Sequence, residues 1–218
     1  MKAFIFDFDG VIMDTQRHWN ERGLEVYQQF VPHWTEVEHL KLKGNNEHQI
    51  YDMLVKEHGA MMTKEEYTAH IEAFAAIVYG ELADPFPGVP ELLDRLISLG
   101  IPAAIASSAH RLWIEEALQR NGLLEKFASI VSLEDVPGHW KPEPDCYLLA
   151  AKRLGFDPTE CVGVEDTNTG LRAIKAADMY AIVFRSGSNM DQDLSLADKE
   201  ISHFDQLDLK VLHELFHR

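Results

Sequence analysis

From its third residue the chain runs Ala3-Phe4-Ile5-Phe6-Asp7-Phe8-Asp9-Gly10, a short apolar run that stops at two carboxylates and a glycine. The run is β-rich and reads as a buried strand. It discharges Asp7 and Asp9 into the loop at its end, where Gly10 permits a tight turn. The ends of strands are where α/β sheets place their chemistry. Taken alone, however, an Asp-x-Asp-Gly segment is equally well an acidic turn facing water.

Working outward, similar runs recur at 101–106 (Ile-Pro-Ala-Ala-Ile-Ala), 128–131, 161–164 and 180–184, each bounded by small or polar residues. Between them lie helical patterns at 89–99, 110–120, 145–154 and 168–177. Gly100, Gly122 and Gly155 stand just past helical stretches, where a left-handed residue closes a helix. Asp145, after two prolines, is expected as an N-cap. Strand and helix therefore alternate from residue 85 onward, which specifies βαβ units and a parallel sheet. Residues 15–84 break the alternation, with helical patterns near 16–30, 47–58 and 64–80 and no clear strand. They read as an inserted helical domain, its return marked by Asp84-Pro85-Phe86-Pro87-Gly88. The expected division is 1–14 with 85–218 as the core and 15–84 as the insert. A closing amphipathic helix is expected over 207–216.

Composition bounds the function. The 218 residues are 46% hydrophobic and 26% charged, as in an ordinary folded protein. Lysine and arginine total 20 against 36 acidic residues, a formal net charge of −16 that repels nucleic acid and anionic membranes. The same field opposes a phosphorylated ligand, so any such site must invert it locally. Cys146 and Cys161 form no metal-binding pair and are expected to pack the core, in a reducing cytoplasm. The N-terminal residues carry no signal-peptide pattern, no stretch is long enough to span a membrane, and a monomer is the expectation.

Three later segments stand at the ends of strand-like runs, in the order a parallel sheet would gather them. Ser107-Ser108 follows 101–106. Lys141 lies in Trp140-Lys141-Pro142-Glu143-Pro144-Asp145, where the following proline disfavours helix. Glu165-Asp166 follows 161–164 and leads into Thr167-Asn168-Thr169-Gly170. With Asp7 and Asp9, these segments resemble the four motifs of the haloacid dehalogenase superfamily, in the branch of phosphatases and phosphomutases similar to β-phosphoglucomutase. The insert matches only as a small helical cap between the first and second motifs.

The resemblance implies an α/β fold: a Rossmann-like three-layer core with a parallel sheet, plus an inserted small helical cap domain. It implies a hydrolase of small phosphorylated metabolites. Asp7 resembles the nucleophile, whose attack on phosphorus gives an acyl phosphate, and Asp9 the general acid/base. Mg²⁺ is the implied cofactor, a hard ion suited to oxygen ligands. Asp7, the Asp9 carbonyl and Asp166 would hold it, with Glu165 binding directly or through water. Ser107, by hydroxyl and backbone N–H, resembles a phosphoryl contact together with Gly10 and Lys141. Ser108 and Thr15 are further substrate contacts, although Thr15 is equally a helix N-cap.

Within the insert, residues 40–47 resemble the cap loop of β-phosphoglucomutase. Glu47 stands where a mutase would be expected to offer an arginine, and a carboxylate there would repel a second phosphate. His18 lies beside Trp19, which occupies the position of the mutase's histidine. His18, Asn45, Asn46 and Glu47 are therefore the candidates for recognising the leaving group, and a phosphatase is favoured over a mutase. A phosphonatase would lack the second aspartate. A dehalogenase would need no magnesium and would leave Lys141, Glu165 and Asp166 unexplained. A non-catalytic sugar-phosphate-binding module is the alternative of another class. His18, His33, His39, His48, His58 and His70 form no His-Glu-x-x-His pattern and are read as surface or core-edge residues.

Overall fold

The computed structural model describes residues 1–42 and 47–216. In chain order, β1 (Ala3–Phe6) precedes helices α1 (Thr15–Gln28), α2 (Glu36–Leu40), α3 (Glu47–Lys56), α4 (Lys64–Ile77) and α5 (Val89–Ser98). Then come β2 (Ala103–Ala106), α6 (Arg111–Arg120), β3 (Ser129–Val131), α7 (Asp145–Leu154), β4 (Cys161–Glu165), α8 (Asn168–Ala176), β5 (Tyr180–Phe184), β6 (Lys199–Ile201) and α9 (Leu209–Phe216). These fall into two compact units: Met1–Asp14 with Asp84–Arg218, and Thr15–Ala83. Asp84 belongs to the first, where its carbonyl accepts the Asp14 N–H at 3.0 Å.

The first unit carries a six-stranded parallel sheet in the order β3-β2-β1-β4-β5-β6. Strands are added on one side of β1 and then on the other. Right-handed crossovers therefore place α5 and α6 on one face and α7 and α8 on the opposite face. Every residue of β1 and β2 is buried, as strands covered on both faces must be. On one face Ala3, Ile5, Ala104 and Ala106 join Tyr147 and Ala150 of α7 and Leu171 and Ile174 of α8 in a single core. Gly163 in β4 admits α8 closely, because a Cβ there would lie 2.7 Å from the Ile174 side chain. Phe4 and Phe6 stack at 5.6 Å, and Phe127 meets the Phe6 ring edge-on.

Two expectations need correction. Asp145 is not an N-cap but the first residue of α7, with Pro144 in the capping position. The closing helix begins at Leu209 rather than 207. Two elements were not expected, α2 and β6. Gly100, Gly122 and Gly155 all have positive φ, as helix-closing residues should.

Among its described residues the second unit contains helices and turns and no strand. Trp19 of α1 packs edge-on against Phe74 of α4, Tyr27 lies against the fully buried Trp34, and Tyr51 of α3 meets Tyr67 of α4. Thr35 and Thr63 start α2 and α4 with reciprocal capping boxes to Glu38 and Glu66. His39 is buried and shares a 2.9 Å hydrogen bond with the Trp19 carbonyl. Its burial holds its pKa below the usual histidine value. Both cysteines are free and buried. Among the described residues no helix is long and apolar enough to cross a membrane.

Candidate active site

The sheet register sets the site. Phe6 pairs with Ile105 on one side and Val164 on the other, so Asp7, Ser107 and Glu165 leave their strands at the same edge. The strand order reverses between β1 and β4, and that switch point is where an open α/β sheet leaves a crevice for ligand. The Asp7 N–H donates to the Val164 carbonyl at 2.9 Å, extending the ladder to the carboxylate.

Lys141 enters from the segment between β3 and α7, with its side chain only 9% exposed. Its Nζ donates to Asp7 Oδ1 at 2.6 Å and to Glu165 Oε1 at 2.7 Å. Glu165 Oε1 also accepts the Tyr147 hydroxyl at 3.2 Å, and the lysine nitrogen lies 5.1 Å from the centre of the same ring. Glu165 Oε2 accepts the Asp166 N–H at 2.9 Å and the Thr167 N–H and hydroxyl, each at 3.0 Å. Both oxygens of Glu165 are thus committed to the protein. Asp166 differs: it is buried, and its Oδ1 has no hydrogen-bond partner.

The backbone N–H groups of Gly10 and Ser107 are both engaged within the protein. The Gly10 N–H donates to the Met13 carbonyl at 2.9 Å, so it is not free for a phosphoryl oxygen. The residue is glycine because φ is +81° and a Cβ would run into the Asp166 carboxylate. The Ser107 N–H likewise goes to the Val131 carbonyl at 3.0 Å, while its Oγ accepts the Ala109 N–H at 3.0 Å and keeps its own proton to donate. Ser108 is exposed and Asp9 half-buried. Thr15 opens α1 in the second unit, and both it and His18 are buried. Asn45 and Asn46 lie outside the described residues. Glu47 opens α3, and its side chain is outside the described part.

Sequence reasoning did not single out Tyr147 or Thr167. The Thr167–Gly170 cap was visible as a threonine before a helix, since its Oγ1 accepts the Gly170 N–H at 3.1 Å. Tyr147 gave no signal, because a tyrosine at an apolar helical position reads as core.

The electrostatics follow from burial. Asp7 is pushed up to about 7 by burial; the Lys141 ammonium pulls against that, and Glu165 and Asp9 add to the rise. Burial and the neighbouring Glu165 and Asp7 raise Asp166 well above the usual carboxylate range. Burial also opposes the charge on Glu165, but Lys141 and the hydrogen bonds from Lys141 and Thr167 outweigh it, and its pKa falls. Lys141 is likewise penalised by burial, yet Asp7 and Glu165 raise it well above a free lysine. One buried ammonium faces three buried carboxylates. The excess negative charge is relieved either by a proton on Asp166 or by a cation.

A cation fits. Oxygens of Asp7, Glu165 and Asp166 lie within 4.8 Å of one another, the donors are hard carboxylates, and one buried oxygen is unsatisfied. His139, Glu143 and Asp145 form a second group of possible ligands. There His139 Nδ1 and Glu143 Oε2 already share an exposed hydrogen bond at 2.9 Å.

Comparison with known proteins agrees with this arrangement. The family model "Haloacid dehalogenase-like hydrolase" matches residues 4–184. A phosphorylated carbohydrates phosphatase of Thermotoga maritima is 31% identical over 84% of this chain and 84% of its own. The β-phosphoglucomutase of Bacillus subtilis is 29% identical over 98% and 95%. A family IA hydrolase of this superfamily from Entamoeba histolytica superimposes with a TM-score of 0.84 at 22% identity, each chain covered completely, which shows the fold. With its strand-end carboxylates gathered on a parallel sheet of that fold, the chain belongs to the haloacid dehalogenase-like hydrolases, in their β-phosphoglucomutase-like branch.

Proposed function

We propose that the chain hydrolyses small phosphate monoesters, sugar phosphates foremost, through a phosphoryl group carried on Asp7. The observation that carries this reading is the buried cluster of Asp7, Glu165 and Asp166 around Lys141. An Asp7 oxygen forms a bond to phosphorus as the bond from phosphorus to the ester oxygen breaks. Asp9 gives its proton to that leaving oxygen. It then takes a proton from water, whose oxygen attacks phosphorus and releases phosphate and the Asp7 carboxylate. Lys141 fixes the Asp7 carboxylate and supplies the positive charge that the net charge of −16 withholds elsewhere. The Ser107 hydroxyl is read as a donor to a phosphoryl oxygen.

Mg²⁺ is the metal we assign, held by Asp7, the Asp9 carbonyl and Asp166, where it would neutralise phosphoryl oxygens and lower the carboxylate pKa values. Asp166 takes the direct position because its Oδ1 is unsatisfied, whereas Glu165 is already bound through both oxygens. Recognition of the leaving group is assigned to the helical unit, with His18, Asn45 and Glu47 as candidates.

The test is phosphate release from an aryl phosphate and a panel of sugar phosphates, with Mg²⁺ and with chelator. Activity that needs the metal is expected, and Asp7→Asn should lower kcat by about a thousandfold or more while the fold survives. Substantial activity in Asp7→Asn would remove it from the nucleophile's role. No release from any substrate would favour a non-catalytic binding module. The near full-length match to a β-phosphoglucomutase supports a second reading, a phosphosugar mutase. Conversion of β-glucose 1-phosphate to glucose 6-phosphate, primed by a sugar bisphosphate, would establish it.

A further inference from the structure

The turn that carries Asp166 is held from behind by the loop that follows β5. Asn189, in that loop, is 1% exposed. Its Nδ2 donates to the Asp166 carbonyl at 2.7 Å and to the Phe184 carbonyl at 2.9 Å. Both partners are acceptors, so the amide can face them only with its nitrogen. Its Oδ1 is left buried with no hydrogen-bond partner. A buried amide oxygen without a donor is costly, and the arrangement persists because the nitrogen's two bonds and the surrounding loop hold it.

The loop is tied to the same turn at two further points. The Asn168 N–H donates to Gln192 Oε1 at 2.8 Å, and Asn168 Nδ2 donates to the Asp193 carbonyl at 2.6 Å. Arg185 closes the loop on itself, its Nη1 donating to the carbonyls of Asn189 at 3.2 Å and Gln192 at 3.3 Å. Asp166 is therefore fixed on both sides of its Cα: its N–H by Glu165 Oε2 and its carbonyl by Asn189.

We propose that Asn189 is a positioning residue for the metal site, setting the orientation of the Asp166 carboxylate through the Asp166 carbonyl. The inference rests on the reading of Asp166 as a metal ligand. With both peptide groups of Asp166 pinned, the direction of its Cα–Cβ bond is set, and its carboxylate lies beside Gly10 with an oxygen within 4.8 Å of one of Asp7. Residues that orient metal ligands in this way commonly govern affinity by about ten- to a hundredfold.

The test measures Mn²⁺ binding to the full chain by electron paramagnetic resonance and Mg²⁺ binding by calorimetry, alongside kcat and the Mg²⁺ concentration for half-maximal activity. Asn189→Ala is expected to weaken metal binding about tenfold or more, with kcat largely restored at saturating Mg²⁺. Asn189→Asp should weaken it further, since a carboxylate oxygen would then face two carbonyls. A lower Tm with unchanged metal affinity would make Asn189 merely structural and overturn the proposal. Asp166→Ala separates the two levels of the argument. If it leaves metal binding intact, the metal-site reading itself fails; if it abolishes binding while Asn189→Ala leaves the affinity unchanged, only the role of Asn189 falls. Should Asn189→Ala not fold, Arg185→Gln loosens the same loop from its solvent side. It should weaken metal binding in the same direction but less, and unchanged affinity there would again overturn the proposal.

Discussion

Lys141 is the residue on which the candidate site depends electrostatically. It is nearly buried, and it is within 2.7 Å of two carboxylates that would otherwise face each other without compensation. Replacing it with methionine keeps much of its volume and removes the charge. Breaking a buried pair from one side typically costs about 3–5 kcal/mol, because the charges left behind stay buried. Lys141→Met should therefore lower stability by that order in urea titration and also abolish phosphate release. Full stability in the variant would mean that the carboxylates take up protons or water once the lysine is gone, and that the pair adds nothing to stability. The lysine was legible in the sequence because a proline-bounded segment singled it out. Tyr147 and Asn189 were not, because each reaches the site only through tertiary placement. One sits at a helical position that any apolar residue would fill, and the other in a polar loop with no pattern. The engagement of the Gly10 and Ser107 N–H groups was hidden for a similar reason. Sequence shows which residue types are present but not which backbone N–H groups the sheet and turn have already engaged.

At the scale of the element, strands with an unbroken apolar run announced themselves, and the others did not. β6, Lys-Glu-Ile, has no such run and exists because its backbone completes the ladder on β5. α2 is five residues long and depends on its capping box. The short edge strand β3 is secured by the single helical turn Leu133–Asp135 that follows it. Asp135 receives Arg111 and Arg153, each at 2.6 Å, and Glu134 meets the His110 ring at 2.7 Å and the Arg111 N–H at 3.1 Å. Burial opposes the charge on Glu134, but hydrogen bonds from Ser132, its own backbone, His110 and Arg111 outweigh it and bring its pKa to about 2. Asp135 is held well below its usual range because Arg153, Ser132 and Arg111 likewise outweigh its burial. Unfolded carboxyls titrate near pH 4, roughly. Between that pH and the folded values the unfolded chain binds more protons, so the stabilisation is complete above about pH 4–5 and is lost as pH falls toward the folded values. The variant Glu134→Gln/Asp135→Asn should thus be less stable than the wild type at neutral pH, the gap closing between about pH 4 and pH 2. A gap independent of pH would show that these groups act by packing alone.

Across the whole molecule, the net charge of −16 opposes the approach of a dianionic phosphate, and at the carboxylate cluster the buried lysine counters it, as would the proposed Mg²⁺. Raising the ionic strength from about 0.02 to 0.2 M shortens the screening length and should raise kcat/KM for a sugar phosphate, by about two- to threefold, at fixed free Mg²⁺. A fall would mean that the local positive field governs encounter. The sheet order carries a different kind of consequence, one of timing during synthesis. β1 precedes the other five strands of the sheet in the chain and lies in its middle, so Ala3 must wait for Cys161 before its second neighbour exists. A nascent chain stalled after β2 but before residue 161 holds Asp7, the proposed nucleophile, on a strand with one open edge, exposed to chaperones or to other chains. Asp7 is thus made before every other strand-end residue of its cluster, and its surroundings are complete only when Glu165 and Asp166 arrive.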